Sequence, residues 1–472
     1  MLDDRAGRLS GRGRLTIPRW RVGLVGALAI VVAATAAGLD GSARPGAATA
    51  ASAGANHMTG AWFCPHGGGP GWRGWVAIAN PGPRTVRVRL TAFGAAGARA
   101  LSTFDLLPET EQLREVAVTE RGASTEVEYF GGWVGASSAV SQGTGAKAIS
   151  ASEACLAGPQ RSWYLLDAST GVSESAYLVA MNPFAEAAEF DVSLFTEKRP
   201  IRPGPLTPLV VPPGRSVGIK LNDFVLLGQG ESTLAFHVVP RLGRVLVGDV
   251  VIGAHGIRAE VGVPGPRSRW VAPSGGTSGA MQLILLNPGK LRSDLSAIAQ
   301  GASAQQVVSG ASDLSVPAGG VATFTLGDLS IAGLLVESTN QRPVLAAVRA
   351  SGAHGGLATV AGSADQARRW LLVPAITPSS GAAVLALQNP ERTDAILKFT
   401  WIGLSGVVAA QPESLTVGAG RTLQVAAPVV SGVSASAIIT LTSGRVVPAQ
   451  WTSAASGSQF AVVLGLPVPA GI

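Results

Sequence analysis

Apolar residues in this chain come in short runs bounded by glycine, proline or asparagine, and many of the runs alternate with polar residues. Val86-Arg-Val-Arg-Leu90 places Val86, Val88 and Leu90 on one face and Arg87 and Arg89 on the other. Period-two alternation is the mark of a half-buried strand. Phe190-Asp-Val-Ser-Leu194 has the same form. Trp75–Ala79, Thr233–Val239, Val245–Val251, Val321–Thr325, Leu334–Glu337, Val344–Val348, Thr422–Val425, Ile438–Leu441 and Phe460–Leu464 read as further strands. A sustained 3.6-residue pattern is missing after residue 58, which excludes helical repeats.

The strands recur as a set. Asn80-Pro81, Asn182-Pro183, Asn287-Pro288 and Asn389-Pro390 are spaced 102, 105 and 102 residues apart. A tryptophan stands 17 to 19 residues before each pair: Trp62, Trp163, Trp270 and Trp370. In the last three copies a glycine turn (Gly214, Gly319, Gly420) follows the asparagine by 32, 32 and 31 residues. Two landmarks at fixed separation inside a fixed period define an internal repeat. About seven short strands per hundred residues is the arithmetic of an immunoglobulin-like β-sandwich, and the period is too long for one propeller blade. The chain therefore reads as all-β, with four tandem sandwich modules over 59–157, 161–266, 269–363 and 368–472. Within each, proline ends a strand because it cannot donate to a ladder, and asparagine caps the turn with its own side chain. The tryptophans are expected over the sandwich core or at the junction with a neighbouring module; stacking on carbohydrate is the functional alternative for them.

What precedes the modules is different in kind. Residues 1–21 carry six arginines against Asp3 and Asp4, and much of the chain's formal charge of +7 resides there. Val22 to Leu39 runs 18 residues without a charge, near the length that spans a bilayer, and the arginines before it keep the N-terminus cytoplasmic. The expectation is a basic tail (1–21), a transmembrane helix or signal segment (22–39) and a flexible tether (40–58). Ala33-Ala-Thr-Ala36 offers a cleavage site, so release of the mature protein is the alternative. The basic charge is read as a topology signal and not as a nucleic-acid surface.

With 47% hydrophobic and 14% charged residues, the remainder has ample material for folded cores. Its two cysteines, Cys64 and Cys155, lie at the opposite ends of the first module. Outside the membrane a structural disulfide is expected, worth ~4–5 kcal/mol in the chain-entropy model for a loop this long.

Candidate chemistry is sparse. The five histidines are His57, His66, His237, His255 and His354; the last two sit in matching Gly-Ala-His-Gly contexts, read as a shared hairpin turn. Metalloprotease, P-loop and nucleophile-elbow motifs are missing. Glu109 with Glu111 and Glu126 with Glu128 are the densest acidic groups, and the second pair is expected to face solvent. Trp72, Trp75 and Trp133 make the first module the most aromatic and the favoured place for a binding face. No catalytic, cofactor or metal residue is assigned.

The basic tail, the apolar segment, the Trp62-Phe-Cys-Pro65 opening and the tandem Trp…Asn-Pro modules together resemble an uncharacterised family of actinobacterial membrane-anchored envelope proteins carrying a domain of unknown function. The resemblance implies an extracytoplasmic, anchored protein and transfers no catalytic residue. The expected function is a non-enzymatic single-pass cell-envelope protein. Its modules, as a rod or a folded-back stack, would present surfaces to an envelope protein or polysaccharide. The alternative is a secreted carbohydrate-binding or adhesive protein.

Overall fold

The computed structural model describes residues 58–472 apart from 254–255, 276–280, 309–310, 327–331, 353–354, 375–381, 431 and 455–458. The basic tail, the apolar segment, the tether as far as residue 57, and His57, His255 and His354 lie outside the described residues. Among the described residues no helix is long and apolar enough to cross a membrane.

The fold is all-β: eight antiparallel sheets of four to six strands, paired into about four sandwich modules. The first module shows the plan. Its strands are Thr59–Cys64, Trp72–Ala79, Val86–Gly94, Gly97–Leu106, Glu111–Val116, Ser124–Phe130, Gly135–Gln142 and Ile149–Ala154. One sheet has the order first–sixth–third–fourth and the other fifth–second–seventh–eighth, and the three later modules repeat both orders with small additions. The second–fifth and third–sixth pairings are those of an immunoglobulin sandwich. The seventh strand, however, pairs with the second, and the first takes the place beside the sixth. Alternation fixes the faces: Val86, Val88 and Leu90 are buried while Arg87 and Arg89 point outward.

The landmarks are structural parts of this plan. Asn80 is fully buried; its Oδ1 accepts the Gly82 N–H (3.0 Å) and its Nδ2 donates to the carbonyls of Arg84 (2.7 Å) and Leu107 (2.9 Å). Asn182, Asn287 and Asn389 repeat this, each accepting the N–H two residues on and donating to the carbonyl four residues on. One amide thus closes the turn at Pro81, Pro183, Pro288 or Pro390 and ties the two sheets together. Trp62, Trp163, Trp270 and Trp370 are 5%, 2%, 3% and 1% exposed. The first three donate their indole N–H to the carbonyl just before the seventh strand, at Val134, Val245 and Val344. Their faces are filled by the sandwich interior, which leaves none for a sugar.

Cys64 and Cys155 form a disulfide with Cα atoms 4.6 Å apart. It pins the end of the first strand to the residue after the eighth, beside the Phe63–Leu156 backbone bridge.

The modules are neither a rod nor a stack: they close into a ring. Their eighth strands, Ile149–Ala154, Gly256–Val261, Leu357–Ala361 and Phe460–Leu464, surround a common axis, each packed against the next and the last against the first. Ile257 and Ala259 join the apolar cluster of module 1, Val462 joins that of module 3, and Ala154 packs on Ala461 and Val463. The joints are equivalent. The start of each sixth strand, or the residue just before it, meets the fifth strand of the next module: Ser124 with Ser216, Thr233 with Thr323, Gly333 with Thr422, and Ser436 with Glu111. Ala235 and Val321 share one apolar cluster. A head-to-tail contact repeated by rotation closes into a ring when the rotation allows it, and four covalently tandem copies do so here. The cores consequently run together: one buried cluster links modules 2, 3 and 4, and another links 4, 1 and 2.

Candidate functional site

The four joints differ in how one pair of positions is filled. The residue thirteen after each asparagine, on the third strand, meets the residue just before the next module's asparagine. At the joint of modules 1 and 2 this pair is Phe93 and Met181, in one cluster with Phe63 and Leu246. Phe184 lies 6.1 Å from the Phe63 ring, and the Arg244 guanidinium sits 3.8 Å over Phe184. At the second joint the pair is Phe195 and Leu286, and at the closing joint Ile402 and Ala79.

At the joint of modules 3 and 4 the same positions hold Gln300 and Gln388, fully buried and bonded to each other at 2.7 Å. Glu391 replaces Phe184, Val271 replaces Phe63, and Arg445 replaces Arg244. The space that phenylalanines occupy at the first joint is left as a cleft. Its outer part, about 720 Å³, is lined by Gln305, Arg392, Arg421 and the Asn-Pro turn. Its inner part, about 210 Å³, shares Arg269, Pro390 and Glu391 with the outer part. Arg269 holds the floor: Nε to Glu337 (3.0 Å), Nη1 to Glu391 (3.1 Å) and Nη2 donating to the Pro390 carbonyl (2.8 Å). The lining is rich in guanidinium, amide and carboxylate groups. It holds no histidine, cysteine or serine–base pair in its outer part. Such a surface binds by hydrogen bonds and charge.

The inner part leads to a pocket on the axis, of about 190 Å³, which shares Arg267, Ser363, Ala364 and Asp365 with it. Glu153, Glu260, Val360 and Val462, one from each eighth strand, border this pocket. Behind Glu260 lies a buried charge cluster. Arg349 of module 3 donates to both Asp167 oxygens through Nε (2.9 Å) and again through Nη2, and to Gln282 (2.8 Å). Thr359 donates to the same carboxylate. Arg258 lies 3.5 Å from Asp167 and donates to Glu174 at 3.0 Å. Burial opposes charge at Asp167 and Glu174, but the guanidiniums outweigh it and hold both carboxyls below their usual range. Burial pushes Glu260 up to about 7, helped by the Asp167 charge, although its Oε2 accepts the Leu166 and Asp167 N–H groups. Burial, then like charge, pushes Glu153 and Asp249 well above the ordinary value. Among the described residues no group of three or more His, Cys, Asp or Glu is arranged to hold a metal ion.

Of the sequence landmarks, Pro390 and Gly420 border the cleft and Trp270 the axial pocket; the other tryptophans, asparagines and prolines of the repeat border neither. The aromatic face expected on module 1 is not exposed: Trp72 and Trp133 are buried, and Trp75 is half-buried beneath Arg73. Glu126 and Glu128 are both half-buried; Glu128 pairs with Arg89, and burial raises Glu126 to about 7. Glu111 is not free either, since its Oε2 accepts the N–H (2.9 Å) and hydroxyl (2.6 Å) of Ser436 at the closing joint. His66 is buried and bonded to Gly67 and Thr125, with burial lowering it to about 4; His237 stacks on Tyr164 at 4.0 Å. The charge cluster was not foreseen from sequence. Its signal was there in Asp167 and Asp249, acids inside otherwise apolar strands.

A model for a family of unknown function, DUF5719, matches residues 115–358, which include Asp167, Asp249, Arg258, Glu260 and Arg349 of the charge cluster. No curated protein matches the chain.

Proposed function

The chain belongs to the DUF5719 family, whose function is unknown, and on that premise we propose a non-enzymatic cell-envelope protein that works by binding. The segment 22–39 anchors it by a single pass, the ring stands outside the membrane, and the cleft between modules 3 and 4 receives an envelope protein or polysaccharide. It needs no cofactor and has no nucleic-acid partner. One observation carries this reading: the joint of modules 3 and 4 is open and lined by hydrogen-bonding groups where the equivalent joint of modules 1 and 2 is packed with phenylalanine. Filling that joint would stabilise the ring, so the opening is retained at a cost.

A photo-crosslinking amino acid at Arg392, on the rim of the cleft, tests it in cells. Ala185 occupies the equivalent, exposed position at the first joint and is the matched control. A discrete adduct from position 392 alone supports the reading; adducts of equal yield from both positions, or from neither, overturn it. The mass of the mature N-terminus separates the anchored protein from a secreted one, because a start near residue 37 eliminates the anchor.

A further inference from the structure

The axial pocket carries a different and independent reading. We propose that it is a binding site for a primary alkylammonium group, seated between the carboxyl groups of Glu153 and Glu260 with its methylene stem against Val360, Val462 and Leu464.

The argument is one of charge and space. Two guanidiniums, Arg258 and Arg349, are sunk in this region, and Asp167 and Glu174 pair with them. That set is neutral in itself. Asp249, Glu153 and Glu260 remain, three further carboxyls with no cation of their own among the described residues. A buried carboxyl without a counter-charge stays protonated. Glu260 is only 5% exposed, and its Oε1 has no hydrogen-bond partner. Glu153, half-buried, also borders the pocket, and its carboxyl makes no hydrogen bond among the described residues. An unsatisfied buried acceptor beside an open pocket is what an incoming donor would complete.

The shape of the lining selects the donor. A metal ion would want three or more ligands, and no such group is present among the described residues. An ammonium has three N–H donors that rotate to meet acceptors on different strands, whereas a guanidinium needs them in one plane. The apolar wall suits a flexible alkyl stem with its charged tip inward. The mouth is shared by Arg267 and Asp365, of opposite sign, so it does not repel a cation outright.

Binding of the cation favours ionised carboxyls and releases a proton. The groups facing the pair are Asp167, Glu174, Asp249, Arg258 and Arg349 within, and Arg267 and Asp365 at the mouth. With burial pushing Glu260 up to about 7, affinity is expected to rise with pH, roughly tenfold between pH 6 and pH 8 for one linked proton.

Titration calorimetry on the full chain tests this, with 1,5-diaminopentane and the peptide acetyl-Ala-Lys-Ala-amide as probes and N,N′-diacetyl-1,5-diaminopentane as the uncharged control. Saturable binding of either amine, proton release near neutral pH and silence from the diacetyl compound are expected. The diamine alone points to a free solute, the peptide alone to a protein side chain. Glu153→Gln, which copies the neutral acid and so keeps the empty ring intact, is expected to weaken binding at least tenfold. No saturable heat from either amine at millimolar concentration would sink the proposal. So would binding that ignores pH in the unmodified chain, a readout that does not depend on any variant folding.

Discussion

The first and third joints of the ring are built on one template and end in opposite chemistry. Phe93 and Met181 seal the joint of modules 1 and 2, with Phe63, Phe184 and Arg244 stacked outside them. Gln300 and Gln388 hold the joint of modules 3 and 4, and outside them is the cleft. The strand pairing is common to both, and the side chains at the matching positions differ between the sealed joint and the open one. A dry aromatic contact contributes most of its energy through burial. A buried amide pair contributes little net energy and leaves the Gln300 Nε2 and Gln388 Oε1 atoms unpaired. The first joint holds the ring shut; the third trades part of that stability for a surface.

The largest test is at the sealed joint. Phe93→Ala is expected to lose about 3–5 kcal/mol, read from urea denaturation, because a buried ring leaves a cavity between two packed sheets. If the loss is below about 1 kcal/mol, the joints contribute little and the modules are independent after all.

The closing joint gives the next effect, through pH. Burial raises Glu111 to about 7, with the Ser436 bonds working against it. The folded chain therefore holds this proton to higher pH than the unfolded chain does. The stability it contributes is complete below the ordinary value of 4.5 and is lost as pH rises through about 7. Glu111→Gln keeps the neutral form at all pH. It is expected to match the unmodified chain near pH 4.5 and to exceed it at pH 8 by up to about 3 kcal/mol. Equal stability of the two at pH 8 would show that the closing joint does not bury this carboxyl.

Smaller again is the polar pair. Gln388→Leu alone is expected to lose about 1–3 kcal/mol, since Gln300 is left buried without its donor. With Gln300→Leu added, the stability should return to or pass the starting value, making the third joint resemble the first. A double variant no better than the single would mean that the amides do more than fill the joint.

The smallest effect concerns a turn. Gly214, Gly319 and Gly420 have φ of +64°, +60° and +63°, and the equivalent position in module 1 is Glu109 at +49°. A residue with a Cβ is strained there. Glu109→Gly is expected to raise the free energy of unfolding by about 0.5–1 kcal/mol, read from urea denaturation, while Gly214→Ala should lower it. A fall on introducing the glycine would mean that Glu109 holds the neighbouring Arg369 more firmly than the turn opposes it.

Several of these features were legible in the residues themselves. Val86-Arg-Val-Arg-Leu90 declares a strand and its buried face, because period two depends on nothing but the pleat. Asn-Pro declares a turn, because the proline ring and the short amide act locally. The disulfide followed from two cysteines at the ends of one module. The joints were not legible. Gln300 and Gln388 look like solvent-facing strand residues until another module covers them, and Glu111 reads as an ordinary surface acid. Trp75 and Trp133 suggested a sticky face, yet Trp133 lies edge-on to Trp62 inside the module at 5.9 Å.

Short-range terms thus settled the strands, the turns, the period and the sandwich, since each rests on residues within a few positions or on a repeated local pattern. Closure of the ring, the choice of which joint stays open, and the gathering of Asp167, Arg349 and Glu260 from two modules were decided by tertiary contact alone. Those groups stand up to 182 residues apart, and their energies depend on burial and neighbouring charge, which exist only once the modules have met.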